Sequence, residues 1–444
     1  MSKMKWVAVL ASLTMVSTAC AEKATRPRLD TTAGAPAEVR LRRPAADYSA
    51  EVPLAYADLS LTFTRRTAGF TGPVQARAFA YTSIALYESM VAGMPHHRSM
   101  ASRLHGIGAL PSPRGMPLEW PLVANAALAE VMRGLWGGAT NRAAENVAAL
   151  DSLEARFAAQ YGAQVPPGIA RLSATYGRAV GAAVFATSKD DGAHESYLTN
   201  FPPYTPPTGP GKWELLPGQQ AVQPFWGERV HPFALASVQQ CDQGGPPAYS
   251  EQAGSPFHQE VMEVYEMVKA PTPERTAIAR FWADGGGSYG GPGHTLAIVS
   301  QLLRQRQANL EVAAETYARV MISDADAMTA AWWAKYHYGL LRPITYVRRV
   351  IGDAAWTPIV GTPPFPEYPS THATQSAAAM AALEQLMGTN VPFVDRTYEA
   401  DGMGTRSFPR LFAAAEEAGM SRLYAGIHFR SANDDGRALG TCVA

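Results

Sequence analysis

The chain has 444 residues, of which 47% are hydrophobic, so it can bury a large core and is long enough for two or three domains. Its 38 basic and 38 acidic residues balance, which leaves no broad positive field for a nucleic-acid partner. Positive charge at a functional site must therefore be local, and local charge suits a small anion better than a polymer.

The first 21 residues have the pattern of an export signal. Two lysines precede an apolar run over 6–16, and small residues follow before Cys20. The run is too short to span a bilayer, and no other stretch is long and apolar enough to do so. Two outcomes stay open: lipidation of Cys20, or cleavage within the Ala19–Ala21 pattern. We expect an exported bacterial protein that is periplasmic or tethered to a membrane as a lipoprotein.

Composition then divides the chain into three parts. Residues 22–50 are rich in Ala, Pro, Arg and Thr without periodicity, which predicts a tether. Residues 51–256 form an N-terminal helical region that ends in a long loop, 195–256, whose many aromatic residues favour an ordered segment. Residues 257–444 form a C-terminal helical bundle. Strand signals are scarce, so we predict an all-α protein.

Apolar residues recur at helical spacing in a helical region at 55–100 and in ten further segments. Thr272 and Pro273 have the residue types of a helix cap and first turn. A glycine-rich segment at 285–293 lacks the ending of a nucleotide-binding phosphate loop and is predicted to be a turn. The ten predicted helices are 119–137, 142–160, 168–188, 257–269, 274–284, 294–306, 308–336, 371–387, 407–418 and 419–430.

The chain contains three cysteines, too few for a disulfide framework. If Cys20 is lipidated or removed, Cys241 and Cys442 remain. An oxidising compartment allows these two to pair, but the sequence does not decide between a disulfide and two separate thiols.

Three motifs near the end of the chain carry the chemistry: KYHYGLLRP at 335–343, YPSTH at 368–372 and SRLYAGIHFR at 421–430. Arginine offers a planar fork of donors matched to phosphate-like oxygens, and lysine contributes a compact charge. The motifs therefore predict an oxyanion pocket with histidine chemistry. They supply two arginines, a lysine, a hydroxyl and two histidines, namely Lys335, Arg342, Ser370, His372, Arg422 and His428.

Each motif taken alone has a plainer explanation. Lys335 and Arg342 are two helical turns apart and face one side if the helix continues, as on many solvated faces. Ser370 has the residue type of a helix cap, although exposed N–H groups at a helix start also bind anions. A lone His428 is more often a buried, hydrogen-bonded residue. The occurrence of all three motifs in order favours the site.

Together the motifs resemble those of the vanadium-dependent haloperoxidases and the related type 2 phosphatidic acid phosphatases, which share K-x6-R-P, P-S-x-H and S-R-x5-H. The strict likeness covers 335–430, and a weaker likeness to the bacterial haloperoxidase branch includes 76–93, 281–294 and 362–372. The resemblance implies two four-helix-bundle-like halves, with vanadate or phosphate bound in the C-terminal half.

The resemblance also implies the role of each residue. His428 would be the metal ligand, His372 the acid–base group, and Lys335 would polarise bound peroxide. The implied reaction is the oxidation of bromide or chloride by hydrogen peroxide to hypohalous acid, which halogenates a small organic acceptor. The oxyanion itself would be held by Lys335, Arg342, Arg422, Ser370 and the backbone N–H of Thr371.

Aromatic residues beside the motifs resemble the apolar wall of a halide site. These residues are Trp332, Pro363 and Phe365, and the alternative is that they are ordinary core residues. The length of the chain favours a haloperoxidase, since soluble phosphatases of the superfamily are generally much shorter.

The sequence departs from the family pattern at two positions. Thr371 stands where the family often has glycine, and Ala432 stands where it usually has an aspartate that orients the ligand histidine. The missing carboxylate would be replaced only if Asp434 or Asp435 reaches back, with Asp434 as the candidate, and Asp284 is predicted to support Arg422. An absent carboxylate would weaken a nucleophilic histidine more than a ligand histidine.

Three functions are thus distinguished. A haloperoxidase is the first, and the alternative is a secreted acid phosphatase that acts through a phosphohistidine at His428, with His372 protonating the leaving group. The third is a non-catalytic oxyanion-binding protein. The sequence leaves the oligomeric state open, with a homodimer as one alternative.

Overall fold

The computed structural model describes residues 43–138 and 140–444, so the export signal and residues 22–42 of the predicted tether lie outside the described part. The all-α prediction is confirmed, because the described residues form 14 α-helices and one small hairpin. None of these helices is long and apolar enough to cross a membrane.

The helices are α1 (Glu51–Arg66), α2 (Gly72–Met90), α3 (Trp120–Trp136), α4 (Ala143–Gly162), α5 (Pro167–Thr187), α6 (Trp226–Arg229), α7 (Pro256–Lys269), α8 (Pro273–Phe281), α9 (Gly290–Gln305), α10 (Leu310–Tyr338), α11 (Pro343–Tyr346), α12 (Thr371–Met387), α13 (Leu411–Tyr424) and α14 (Arg430–Val443). Strand β1 (Phe393–Asp395) pairs antiparallel with β2 (Arg406–Phe408). The Thr272 cap is confirmed, since its side chain accepts a hydrogen bond from the N–H of Arg275.

Helix α10 is the centre of the molecule. It has 29 residues and packs against α2 from the N-terminal region and against α12 from the C-terminal bundle. Alanines such as Ala314 and Ala318 are fully buried on it, and their small side chains let neighbouring helices approach. One hydrophobic cluster contains residues from both predicted regions. The division at residue 256 therefore stays a prediction from the sequence.

Residues 43–50 belong to this folded unit, so the tether prediction is wrong for them. Ala45 and Ala50 are buried. The backbone N–H of Leu310 donates to the carbonyl of Tyr48 at 2.8 Å, and the Tyr48 hydroxyl donates to Glu119 at 2.9 Å. Long-range pairing of this kind leaves no periodic signal in so short a segment.

Two helix ends differ from the predictions and shape the site. Helix α10 ends at Tyr338, because Gly339 takes a left-handed φ of 61°, so Lys335 and Arg342 do not share one continuous helix. In place of the predicted helices 407–418 and 419–430, the structure has strand β2 and the single helix α13. The chain turns after α13 at Gly426, which has a left-handed φ of 80°. His428 consequently lies in the turn before α14. The ends of α10 and α13 were not predicted, because residues of high helix propensity surround both positions.

The long loop 195–256 is ordered by two long-range contacts. The Asp326 carboxylate on α10 accepts the backbone N–H groups of Phe233, Ala234 and Leu235, at 2.5, 2.7 and 3.0 Å. Cys241 forms a disulfide with Cys442 on α14, with 5.8 Å between their Cα atoms. The sequence had left this pairing undecided.

We predict that loss of this disulfide lowers the free energy of unfolding by about 2–5 kcal/mol, because the bond closes a very long loop in the unfolded chain. Urea unfolding of the mature protein with and without a thiol reductant measures the change. The Cys241→Ser/Cys442→Ser variant is the control and should not respond to reductant. Equal midpoints for the oxidised and reduced wild type would contradict the prediction.

Candidate functional site

The three motifs converge on one end of the bundle. Their side chains come from the end of α10, the extended segment before α11, the start of α12, the end of α13 and the turn before α14. A cavity of about 760 Å³ opens beside them. The residues brought together are Lys335, Arg342, Ser370, Thr371, His372, Arg422 and His428, and all except His372 are buried.

Lys335 is fully buried and fixes the backbone of the second motif. Its ammonium group donates to the carbonyls of Pro366 at 3.2 Å and Glu367 at 3.0 Å, and also to that of Pro369. Burial lowers the pKa of Lys335, and the nearby Arg342 lowers it further. The lysine therefore shapes the turn that carries Ser370, and its direct contact with an anion stays a prediction.

Both arginines keep a donor without a partner. Arg342 donates to the carbonyls of Phe365 at 2.9 Å and Ile427 at 2.8 Å, but its Nη2 is buried and unpaired. Arg422 donates through Nη1 to the carbonyl of Trp282, and its Nε is buried and unpaired. Burying such a group without a partner costs about 1–3 kcal/mol or more, so these donors indicate a ligand.

Two hydroxyls complete the set of unpaired donors. Ser370 lies at the cap position of α12, but its side chain makes no cap hydrogen bond, and its Oγ is buried without a partner. The Oγ1 of Thr371 is buried and unpaired as well. A plain capping role for Ser370 is therefore wrong. Four orphaned donors at the positive end of a 17-residue helix fit a bound oxyanion such as vanadate or phosphate.

The hydrogen bonds of His428 fix its tautomer. Its Nε2 lies 3.1 Å from Nη1 of Arg342, and arginine can only donate, so Nε2 carries no proton. Its Nδ1 lies 2.8 Å from Oε1 of Glu367 and donates to it. Burial lowers the pKa of His428, and Arg342 and Lys335 reinforce that effect. The ring is neutral, with the Nε2 lone pair that a metal ligand needs.

Glu367 is the carboxylate that the sequence analysis missed. It is fully buried, and Oε1 accepts both Nδ1–H of His428 and the backbone N–H of Phe429 at 2.8 Å. Burial raises the pKa of Glu367 against the attraction of Arg342, but an oxygen that accepts two N–H donors bears no proton itself. The one available signal was a single charged residue in the apolar, proline-rich segment before Ser370.

The predicted substitutes for the aspartate missing at Ala432 do not reach His428. Asp434 is exposed and pairs with Arg437 at 3.0 Å, so its supporting role is wrong. Asp435 accepts from the hydroxyl of Tyr368 at 2.9 Å. Both carboxylates lie on α14, which begins beyond the turn that carries His428.

Asp284 supports His372 instead of forming the predicted pair with Arg422. Its Oδ2 lies 3.1 Å from Nε2 of His372, and it also bonds His294 and Tyr398. Burial lowers the pKa of His372 to about 4, and Arg422 adds to this while Asp284 opposes it. Asp284 reaches Arg422 only through longer-range attraction, which partly offsets the effect of burial on the arginine.

The predicted halide-site residues line the cavity. The rings of Trp332 and Phe365 lie 4.8 Å apart, and Pro363 lines the same cavity. The charged groups of Lys335 and Arg342 lie 5.2 and 5.1 Å from the centre of the Phe365 ring. Another part of the cavity lining comes from the glycine-rich segment, which is a turn only up to residue 289 because α9 begins at Gly290.

The fold and the site define an all-α protein with four buried, unpaired donors beside two neutral histidines. Residues 315–444 match the family model of the VCPO second helical-bundle domain. Among solved structures, that of the first bacterial vanadium-dependent iodoperoxidase is similar, with a TM-score of 0.79 and 29% identity over 89% of this chain and 96% of that one.

Two further structures share the fold at 15% identity. The holo-type bacterial vanadium-dependent chloroperoxidase has a TM-score of 0.62 over 85% of this chain and 91% of that one, and the apo-type has 0.61 over 84% and 94%. Among curated proteins, none matches the chain significantly in sequence. The predicted resemblance to the bacterial vanadium-dependent haloperoxidases is confirmed by the family model and by these structures.

We predict that Glu367→Gln weakens vanadate binding about 10–100-fold, since the carboxylate that orients a ligand histidine contributes on this scale. Phosphate binding should be retained, because it depends on the cationic donors, which the variant leaves in place. Calorimetric titration of the purified protein with each anion measures both affinities. Asp434→Asn is the matched control, and unchanged vanadate affinity in Glu367→Gln would contradict the role of Glu367.

Proposed function

We propose that the protein is a vanadate-dependent haloperoxidase that oxidises a halide with hydrogen peroxide to hypohalous acid. The observation that carries this proposal is the set of four buried, unpaired donors beside the unprotonated Nε2 of His428. An oxyanion would use the donors, and a metal would in addition use the Nε2 lone pair, toward which Arg342 donates in the structure. Phosphate can occupy the same donors.

Bound vanadate would supply Lewis acidity toward peroxide. The residues that would hold it are Arg342, Arg422 and Ser370 through their donors, and His428 through Nε2. His372 is the proton acceptor of the site, because Asp284 accepts only and so keeps the ring proton on Nε2, which leaves Nδ1 unprotonated. Lys335 contributes positive charge that draws electron density from bound oxygen atoms.

The halide would approach along the wall made by Trp332 and Phe365. The nearby charges of Lys335 and Arg342 favour an anion there, and the apolar rings strip it of water. We propose bromide or chloride as the halide. Iodide belongs in the same assays, because the most extensively overlapping structure described above is an iodoperoxidase.

Export is also proposed. The Cys241–Cys442 disulfide supports it, since disulfides persist in oxidising compartments outside the cytoplasm. Periplasmic and membrane-tethered forms would share the same folded unit.

The phosphatase alternative is strengthened by one finding. The missing carboxylate at Ala432 argued against a nucleophilic histidine, but Glu367 supplies that carboxylate. A neutral His428 with an unprotonated Nε2 also suits a phosphohistidine mechanism, in which Nε2 attacks phosphorus. Protonation of the leaving oxygen by His372 would first require that His372 take up a proton, which its lowered pKa opposes.

One assay separates the candidates. Apo protein, with and without vanadate, is tested for peroxide-dependent oxidation of iodide, bromide and chloride, and for hydrolysis of a chromogenic phosphate ester. A haloperoxidase should oxidise halide only after vanadate loading, and His428→Ala should abolish this while exposed His96→Ala leaves it intact. Ester hydrolysis that vanadate inhibits would instead support the phosphatase, and halide oxidation surviving in His428→Ala would refute the ligand assignment.

We further propose that the organic acceptor enters the cavity. Its volume of about 760 Å³ far exceeds the needs of peroxide and a halide, and lies in the usual range of about 300–1,000 Å³ for small-molecule sites. Its lining includes Phe70, Met328 and Pro364 beyond the halide wall. These apolar surfaces favour a neutral, apolar acceptor.

Filling the cavity tests this idea. Gly361 lines it and has open space where a side chain would begin, so Gly361→Phe should fit. We expect iodide oxidation to stay within about twofold of the wild-type rate. Halogenation of a bulky apolar acceptor should fall about tenfold, because the added ring displaces the acceptor from its apolar contacts with the cavity wall. Gly168→Phe, at an equally open surface position, is the control. If both reactions continue unchanged, the acceptor reacts outside the cavity.

A further inference from the structure

A chain of buried hydrogen bonds leads away from the cavity behind His372. Nε2 of His372 lies 3.1 Å from Asp284, whose Oδ1 lies 3.1 Å from Nδ1 of His294. Nε2 of His294 lies 2.8 Å from Oδ2 of Asp395. The side chains of Asp284, His294 and Asp395 are at most 1% exposed. His294 comes from α9 and Asp395 from β1, so neither belongs to the three motifs.

The geometry of this chain requires His294 to be charged. Each ring nitrogen faces a carboxylate oxygen, and a neutral imidazole would place a lone pair against one of them. Both nitrogens therefore carry protons. Burial opposes the charge, but Asp284 and Asp395 together raise the pKa of His294 to about 10.

The aromatic surroundings of His294 also suit a cation. The ring stacks on Trp282 with 4.5 Å between centroids, and the rings of Phe281 and Tyr398 lie steeply inclined to it, with centroids at 5.5 and 5.0 Å. A cation over the face of tryptophan is attracted by the negative face of the ring. His294 is thus a buried imidazolium between two carboxylates.

The other groups around the two carboxylates are consistent with their ionised forms. Asp284 additionally accepts from the hydroxyl of Tyr398 and is attracted by Arg422. Oδ1 of Asp395 accepts from the backbone N–H and the hydroxyl of Thr397, at 2.9 and 2.6 Å. Two negative carboxylates thus face two cations, His294 and Arg422, and little net charge is left to draw a proton onto His372.

We propose that His294 and Asp395 are positioning residues: they keep Asp284 ionised and neutralised, so that His372 holds its proton at Nε2 and presents an unprotonated Nδ1 to the cavity. The catalytic meaning of this arrangement rests on the proposed haloperoxidase function, whereas the protonation pattern does not. Without a charged His294, the negative charge of Asp284 would attract a proton to His372. A protonated His372 cannot accept a proton from peroxide.

The protonation pattern is tested directly by NMR of the mature protein with ¹⁵N-labelled histidine, without vanadate. We expect both ring nitrogens of His294 to be protonated between about pH 6 and 9, and one ring nitrogen of His372 to be unprotonated over the same range. Assignment uses the loss of each signal in His294→Gln and His372→Gln. A neutral His294 ring at pH 7 would overturn the proposal, whatever the protein catalyses.

Asp395→Asn tests the link to catalysis. The amide keeps an acceptor for Thr397 and offers a donor to Nε2 of His294, so both hydrogen bonds can persist while His294 becomes neutral. We expect the pKa of His372 to rise by about one unit, and the acidic limb of the pH profile of kcat/KM for peroxide to move to higher pH by the same amount. A purely structural role would lower the amount of active protein without moving this limb.

Asp353→Asn is the matched control, because Asp353 pairs with Lys269 on a different part of the molecule. Its pH profile should equal that of the wild type. An unmoved acidic limb in folded Asp395→Asn would overturn the positioning role. If the protein shows no peroxidase activity at all, the proposed function fails, and the NMR titration of His372 in Asp395→Asn still decides the inference.

Discussion

The burial of three cations at one end of the helical bundle is the constraint on which the site depends. An uncompensated buried charge costs several kcal/mol, so Lys335, Arg342 and Arg422 can be kept there only with nearby oxygens. Backbone carbonyls from the turn before α12 and from the turn after α13 accept from two of these cations. The irregular backbone at these helix ends is therefore required by the charges, and an oxyanion would neutralise what remains.

Both histidines of the site are oriented by a carboxylate, but the surroundings of the two carboxylates differ. Each has one ring nitrogen bound to a carboxylate, Glu367 for His428 and Asp284 for His372, and so each presents the other nitrogen unprotonated. The two carboxylates differ in the other groups that they bond. Asp284 also bonds a charged His294, which lowers the tendency of His372 to be protonated, whereas Glu367 bonds the backbone N–H of Phe429 and is attracted by Arg342. One nitrogen is suited to a metal and the other to a proton.

The long loop between the two helical regions connects stability with function. The Asp326 carboxylate and the Cys241–Cys442 disulfide hold the loop to α10 and α14. The same loop brings Val222 to the cavity wall, where its carbonyl accepts from the indole N–H of Trp332 at 3.3 Å. The hydrogen bond to Trp332 fixes the loop at the cavity wall itself, which favours a preformed cavity.

The features that depend on local spacing could be predicted from the amino-acid sequence. Helical periodicity specified the all-α class and the bounds of α12, and the three motifs identified the cationic site residues and both histidines before any coordinates. The tertiary structure was needed to find the roles of Glu367 and His294 and the disulfide, because each depends on a partner far away in the chain. It also decided that α10 ends before Arg342 and that His428 lies in a turn. Backbone hydrogen bonding within a helix is local and leaves a periodic signal, whereas the choice of a buried partner follows from packing and leaves none.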